Sequence, residues 1–179
     1  MANTYTFIAS TTIDTPASNI TFSSIPATYT DLKIVASMRV TDGGEGTTPP
    51  ISRCEITFNT GSSYTIQMLY GIPGASTAVN AAGGGPGTRS FYAGAATSSN
   101  ATASTFASSE YYISNYTSSN NKSFAIDNAI ENNATSSEGD ITSGLWSGTA
   151  TISTIKINPY NLGNFAQYTT MYLYGIKNS

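Results

Sequence analysis

The sequence predicts an all-β fold: one antiparallel β-sandwich domain over residues 1–179, jelly-roll-like, with roughly eight to ten short strands and almost no helix. Three observations predict it. Period-2 alternation recurs along the chain and is cleanest over residues 31–41, where Leu32, Ile34, Ala36, Met38 and Val40 alternate with Lys33, Val35, Ser37 and Arg39. Turn signals built from Gly, Pro, Asn and Asp separate these runs at short intervals, as in sandwiches and barrels. No segment offers three turns of apolar 3.6-residue periodicity, which a packed helix requires.

Taken in order, residues 5–10 form a first strand, with Tyr5 and Phe7 on one side and Thr4 and Thr6 on the other, ended by Asp14, Thr15 and Pro16. Residues 19–23 repeat the pattern with Ile20 and Phe22 inward, and Pro26 stops them. After the 31–41 strand, Gly43, Gly44, Gly46, Pro49 and Pro50 predict a loop over 42–50. Residues 53–59 and 63–70 alternate through Cys54, Ile56, Phe58 and then Tyr64, Ile66, Met68, Tyr70, and the short link containing Gly61 predicts a hairpin between them. The Ala/Gly/Pro composition of 71–90 predicts a long exposed loop. Phe106, Tyr111, Tyr112, Ile113 and Tyr116 mark a strand within 105–116, residues 123–127 another, and the Asn/Ser/Thr density of 128–140 a third loop. Residues 145–176 hold the densest supply of β-branched and aromatic side chains, in two runs, 150–158 and 165–176. They are the expected centre of the core. Tyr168, Tyr172 and Tyr174 share one strand face there and Met171 and Leu173 the other, so one face suits the core and the other a neighbouring subunit.

Composition narrows the function classes. Charged residues make up 9% of the 179, against about 25% in an average domain, and the net charge is −3. A nearly uncharged polar surface repels its own kind weakly, which favours a subunit built into an assembly. The seven basic residues are dispersed from Lys33 to Lys177, whereas a nucleic-acid surface needs them clustered, so no nucleic-acid partner is expected. No stretch approaches the ~20 apolar residues of a membrane-spanning helix, and the start of the chain lacks a basic, then apolar, leader. A soluble chain without a cleaved signal and without a membrane partner is the expectation.

Reactive chemistry is sparse. The absence of histidine removes the usual general base, zinc ligand and centre of a serine triad. Cys54 alternates with polar neighbours and reads as a small buried hydrophobe. Asp42 and Glu45 lie on a glycine loop but match no calcium-ligand spacing, so a solvated turn is the better reading. Gly83 to Gly87 lack the lysine of a phosphate loop, and Ser147 stands one place late for a nucleophile elbow between Gly144 and Gly148. The five Asn-x-Ser/Thr sites, at Asn19, Asn100, Asn115, Asn121 and Asn133, are what Ser/Thr abundance alone produces. For a carboxylate pair of glycosidase type the candidates are Glu110, Asp127, Glu131, Glu138 and Asp140, most of them in stretches that read as hydrated loops. The reading is therefore non-enzymatic, with no catalytic residue, no cofactor and no metal. Tyr92, Trp146 and Tyr160 remain as contacts to a glycan or protein partner, next to their plainer reading as core.

The run Ile20-Thr21-Phe22-Ser23-Ser24-Ile25-Pro26-Ala27-Thr28-Tyr29-Thr30-Asp31-Leu32 resembles the opening of small virion structural proteins of tailed phages, particularly marine and cyanobacterial ones. Phe58-Asn59-Thr60-Gly61-Ser62-Ser63-Tyr64 with Leu69-Tyr70-Gly71 is similar to the same family's middle. Gly144-Leu145-Trp146, Thr151 to Ile157, Asn164-Phe165 and Leu173-Tyr174-Gly175-Ile176-Lys177 are similar to its end. Residues 71–104 and 128–140 match nothing in it. The resemblance implies a jelly-roll-like sandwich on a capsid surface or tail appendage, with no catalytic residues to carry over. The expectation is a capsid decoration or cement subunit located in the virion. It would bind the major capsid protein or other virion proteins, as a homo-oligomer with a trimer favoured because trimers suit local three-fold positions. The alternatives are a tail-fibre or receptor-binding module recognising host glycans and, third, a β-sandwich glycan hydrolase.

Overall fold

The computed structural model describes residues 4–44, 50–71, 79–85, 92–131, 137–160 and 163–177. The described chain is all-β, arranged as two antiparallel sheets with no helix among the described residues. In chain order the strands are β1 (Tyr5–Thr12), β2 (Ile20–Phe22), β3 (Asp31–Met38), β4 (Ile51–Phe58), β5 (Tyr64–Gly71), β6 (Val79–Gly85), β7 (Ala95–Thr97), β8 (Ala107–Ile113), β9 (Lys122–Glu131), β10 (Ser137–Trp146), β11 (Ile155–Pro159) and β12 (Thr170–Ile176). The large sheet runs β1-β12-β3-β8-β9-β10-β5-β6 and the small one β2-β11-β4-β7. A jelly roll is built of eight strands in two Greek keys; here the sheets hold eight and four strands. The excess over the expected eight to ten comes from elements with weak sequence signals: the glycine-rich β6, three-residue β7 and the polar β10.

Alternation decides which side chains enter the core. On β3, Leu32, Ile34, Ala36 and Met38 are buried; on β12, Met171 and Leu173; on β11, Ile155 and Ile157. These join Ile56, Phe58, Tyr64, Ile66, Tyr111, Phe124, Ile126 and Trp146 in one cluster between the sheets. At one end Phe58 sits at the hub of an aromatic group, its ring centroid 5.4 Å from Phe124, 5.7 Å from Trp146 and 5.9 Å from Tyr64. Edge-to-face rings of this kind add to the area they bury. Tyr64 Oη also accepts the Phe58 N–H at 2.7 Å, which satisfies a backbone donor at the end of β4.

Three expectations are corrected. Residues 59–63 do not close a hairpin: β4 belongs to the small sheet and β5 to the large one, so the link crosses the sandwich. Gly61 packs under the Trp146 indole where a Cβ would collide, and Asn59, at φ 54°, ties the link to the segment before β11 by accepting from Ser153 N (2.9 Å) and Thr154 N (3.1 Å). The stretch expected as a loop over 71–90 contains β6, which pairs with β5 along seven residues; backbone pairing tolerates the glycines that propensity counts against. Residues 72–78 and 86–91 of that expected loop, like 45–49 of the first, lie outside the described residues. The expected loop over 128–140 is instead the two arms of β9 and β10, paired from Lys122↔Trp146 to Glu131↔Ser137, with 132–136 outside the described residues. Polar residues fill that pairing because one face meets a buried polar cluster and the other faces outward.

Loops are held by single polar side chains. Arg39 donates to the carbonyls of Thr102 (2.9 Å), Thr105 (3.0 Å) and Ala101 (3.2 Å), organising the turn before β8. Lys122, buried at the start of β9, donates to the carbonyls of Ser118 (2.7 Å), Asn120 (2.5 Å) and Gly148 (3.3 Å), and burial lowers its pKa. Lys122→Met keeps the stem and removes the donor, leaving those carbonyls short of a partner. Urea unfolding should show a loss of about 1–3 kcal/mol for this variant, the range for an orphaned buried polar group.

Candidate functional site

Two features stand out: the outer face of the large sheet, and a charge cluster buried between the sheets.

The outer face is built by register. Direct cross-strand partners place Leu69, Ile141, Asp127, Glu110, Val35 and Tyr172 in one row across β5, β10, β9, β8, β3 and β12. A parallel row runs Gln67, Ser143, Ala125, Tyr112, Lys33, Tyr174 and Phe7. Seven of the nine large hydrophobics exposed among the described residues lie on this face: Tyr5, Phe7, Leu69, Tyr112, Ile141, Leu145 and Tyr172. The other two, Tyr160 and Tyr168, are in loops. Seven strands at about 4.8 Å spacing and six residues at about 3.3 Å rise give a face of about 700 Å². That approaches the ~800 Å² a partner contributes to a standard protein–protein interface.

Among the described side chains, charge on the face gathers at its middle. Asp127 stands directly opposite Glu110, an unfavourable like-charge pair, and Lys33 bonds Glu110 at 2.7 Å. The Glu110 hydrogen bond raises Lys33's pKa. At the margin, Tyr112 donates to Asp31 Oδ2 at 2.6 Å, and that bond, helped by burial, pushes the phenol up to about 12. Beside the acids a shallow groove of about 480 Å³ opens between Leu69, Ile141, Glu110 and Asp127, floored by Ser108, Ala129 and Gly139, three small residues in register.

The buried cluster centres on Arg53 of β4. Its guanidinium reaches from the small sheet to β10 of the large one, donating from Nη2 to Glu138 Oε1 at 2.6 Å and from Nη1 to Asp140 Oδ2 at 3.1 Å. The Tyr70 and Tyr92 rings flank it, with centroids 5.4 and 6.0 Å from Cζ. Asn128 Nδ2 adds a bond to Asp140 Oδ2 at 3.1 Å, and Ser109 donates to Asn128 Oδ1. All three charged side chains are at most 6% exposed. Burial pushes the Asp140 carboxyl up to about 6, against the pull of Arg53 and with a push from Glu138.

The residues singled out from sequence separate on this frame. Trp146 is 5% exposed and closed in by Phe58, Gly61 and Gly148, so it belongs to the core and is withdrawn as a partner contact. Tyr92 is half-buried in the left-handed region (φ 64°), spent on Arg53. Tyr160 is exposed. Of the carboxylates, Glu110 and Asp127 come together outside, Glu138 and Asp140 come together inside, and Glu131 closes β9. The expectation of hydrated loops for Glu138 and Asp140 is corrected: both are 3% exposed. Alternation counted backwards from Trp146 through Thr142 would have placed them on the inner face. Cys54 is buried, as its pattern predicts. Asp42 is engaged in its own turn, accepting from Gly44 N (2.9 Å) and Ser52 Oγ (3.0 Å), while Glu45 lies outside the described residues. No group of three or more metal-ligating side chains occurs among the described residues. The outer face escaped sequence reading because its members come from seven strands.

Compared with known proteins, the chain matches no family model, no curated protein and no solved structure.

Proposed function

We propose that this chain is a non-enzymatic structural subunit of a tailed-phage virion, a capsid decoration or cement protein that packs the outer face of its large sheet on neighbouring virion proteins. The observation that carries the assembly part is the gathering of Tyr5, Phe7, Leu69, Tyr112, Ile141, Leu145 and Tyr172 on one face with little charge. Aromatic enrichment with charge depletion is the signature of an interface core. The phage assignment rests on the sequence resemblance in the opening, middle and closing segments. The subunit would bridge neighbouring capsid subunits, itself most readily as a homotrimer on local three-fold positions.

A second reading has one observation in its favour. Tyr112 and Tyr172 stand near Glu110 and Asp127 on the same face, and rings beside carboxylates suit a sugar's apolar face and its hydroxyls. This would be the receptor-binding alternative, displaced from the residues the sequence suggested. A glycan hydrolase draws less support. The acid with a raised pKa, Asp140, has its side chain closed to solvent and bonded by Arg53 and Asn128.

The test is sedimentation of the purified chain with capsids of its phage stripped of accessory proteins, alongside a glycan array. Co-sedimentation that Ile141→Asp or Tyr172→Asp weakens at least tenfold, with thermal stability unchanged, is the expected result. Glycan binding without capsid binding would transfer the face to the second reading.

A further inference from the structure

We propose that the groove beside Glu110 and Asp127 seats an extended segment of a partner protein, one that lays a basic side chain against the two carboxylates and an apolar one against Leu69 and Ile141. This occupant rests on the reading of the large sheet's outer face as an interface, and not on the phage assignment. Register builds the groove. Its floor is the row Ser108↔Ala129↔Gly139↔Gly71 across β8, β9, β10 and β5, in which no side chain is larger than that of serine. One wall is the next row, Glu110↔Asp127↔Ile141↔Leu69, acidic over β8 and β9 and apolar over β10 and β5, where Ile141 and Leu69 are 61% and 52% exposed. On the other side a hollow of about 440 Å³ continues over the same Ser108, Ala129 and Gly139 as far as Phe106 and Ser137. Three strand spacings of ~4.8 Å make the floor about 14 Å long, the reach of about four extended residues.

The floor glycines are not demanded by packing. A Cβ at Gly71 would meet nothing within 4 Å, and one at Gly139 only the Asn128 carbonyl at 4.0 Å. At Gly61, Gly144, Gly148 and Gly175, by contrast, a Cβ would collide with an aromatic ring. Nor does Gly71 or Gly139 have the positive φ seen at Gly44 and Gly94. Glycine inside a strand costs stability, and where neither space nor backbone requires it, it marks the close approach of a ligand or another backbone. Charge complementarity selects the occupant. Glu110 and Asp127 stand opposite each other, an unfavourable pairing that a basic side chain laid between them relieves, while its apolar stem covers Ala129. On an extended segment a basic residue and an apolar one two places on share a side, about 7 Å apart, which brings the first to Asp127 and the second to Ile141 or Leu69.

NMR titration of the full chain with the acetylated, amidated peptide Leu-Ser-Arg-Ser-Leu tests this, since that peptide offers the spacing in both chain directions. The backbone amides of 69–71, 108–110, 127–129 and 139–141 should shift together, with millimolar affinity, and the same peptide with Glu in place of Arg should shift none of them. Asp127→Asn should weaken the Arg peptide about threefold, as for an exposed ion pair. Gly139→Thr should raise the melting temperature by about 2–4 °C and abolish the shifts, because a strand-favouring side chain then fills the floor. Equal shifts from the Arg and Glu peptides, no shift from either, or a Gly139→Thr protein that is destabilised or still binds, overturns the proposal. Sedimentation with stripped capsids separates it from the function above. Capsid binding that Ile141→Asp weakens and Gly139→Thr leaves intact keeps the virion reading and overturns this one, whereas Arg-peptide binding without capsid binding does the reverse.

Discussion

Arg53→Met should destabilise the protein by about 3–5 kcal/mol, the range for removing one partner of a buried ion pair. The variant keeps most of the side chain's apolar stem between Tyr70 and Tyr92 but takes the guanidinium away from Glu138 and Asp140. Against a typical total of about 5–15 kcal/mol, such a loss approaches unfolding. The deficit should shrink on acidification as the abandoned carboxylates protonate. Replacing all three charges together, as Arg53→Met with Glu138→Leu and Asp140→Leu, should recover most of the loss, because well-packed apolar groups avoid the desolvation that a buried ion triad incurs. Urea midpoints at neutral pH check both results. A single variant as stable as the native protein would mean that Arg53 bears no part of the load between the sheets.

Trp146→Ala should cost about 3–5 kcal/mol, the range for truncating a large aromatic in a core. Trp146 ends β10, stacks edge-on against Phe58 and roofs Gly61 and Gly148, so its loss opens a void at the crossing between the sheets. The surrounding backbone is poorly placed to collapse into it, since Gly144 is already pressed by Phe124. Trp146 is also the chain's single tryptophan, which makes its fluorescence a direct readout. Emission of the native protein should be that of a buried indole and should not respond to added glycans. The loss on mutation should appear in calorimetric melting, while glycan or capsid binding at a permissive temperature stays unchanged. A binding defect in a fully folded variant would restore Trp146 as a contact residue.

These two variants act on opposite ends of one design. The aromatic end is closed by shape and area, whereas the Arg53 end is closed by charge. The outer face of the large sheet takes part in neither, so Ile141→Asp and Tyr172→Asp should alter assembly with little change in stability.

How much of this is legible in the residues alone varies by element. Strands with one apolar face announce themselves: β3, β4, β5 and β12 appear in the alternation of Leu32 to Met38, Cys54 to Phe58, Tyr64 to Met68, and Met171 with Leu173. Inward Met171 and Leu173 and outward Tyr172 and Tyr174 of β12 were readable for the same reason, whereas Tyr168, expected on the same strand face as those tyrosines, lies in the turn before β12 at φ 71°. The hidden elements are those whose inner face is not apolar. β10 carries Glu138, Asp140 and Thr142 inward, and these read as a hydrated loop because their partner, Arg53, is 85 and 87 residues away. β6 is hidden because glycine and alanine supply backbone for pairing but no side-chain pattern.

By itself, then, the sequence determined an all-β chain with a two-sheet core, because period-2 burial is a local property of strands and needs no knowledge of neighbours. It also determined a charged fraction of 9%, seven basic residues dispersed along the chain, and no histidine. Only the tertiary structure decided which strands share a sheet, that Trp146 is core, that Arg53 meets Glu138 and Asp140, and that Leu69, Ile141, Asp127, Glu110, Val35 and Tyr172 form one row. Those facts depend on pairings between residues far apart in the chain. Strand order is set by the summed packing of both sheets and is written in no single segment.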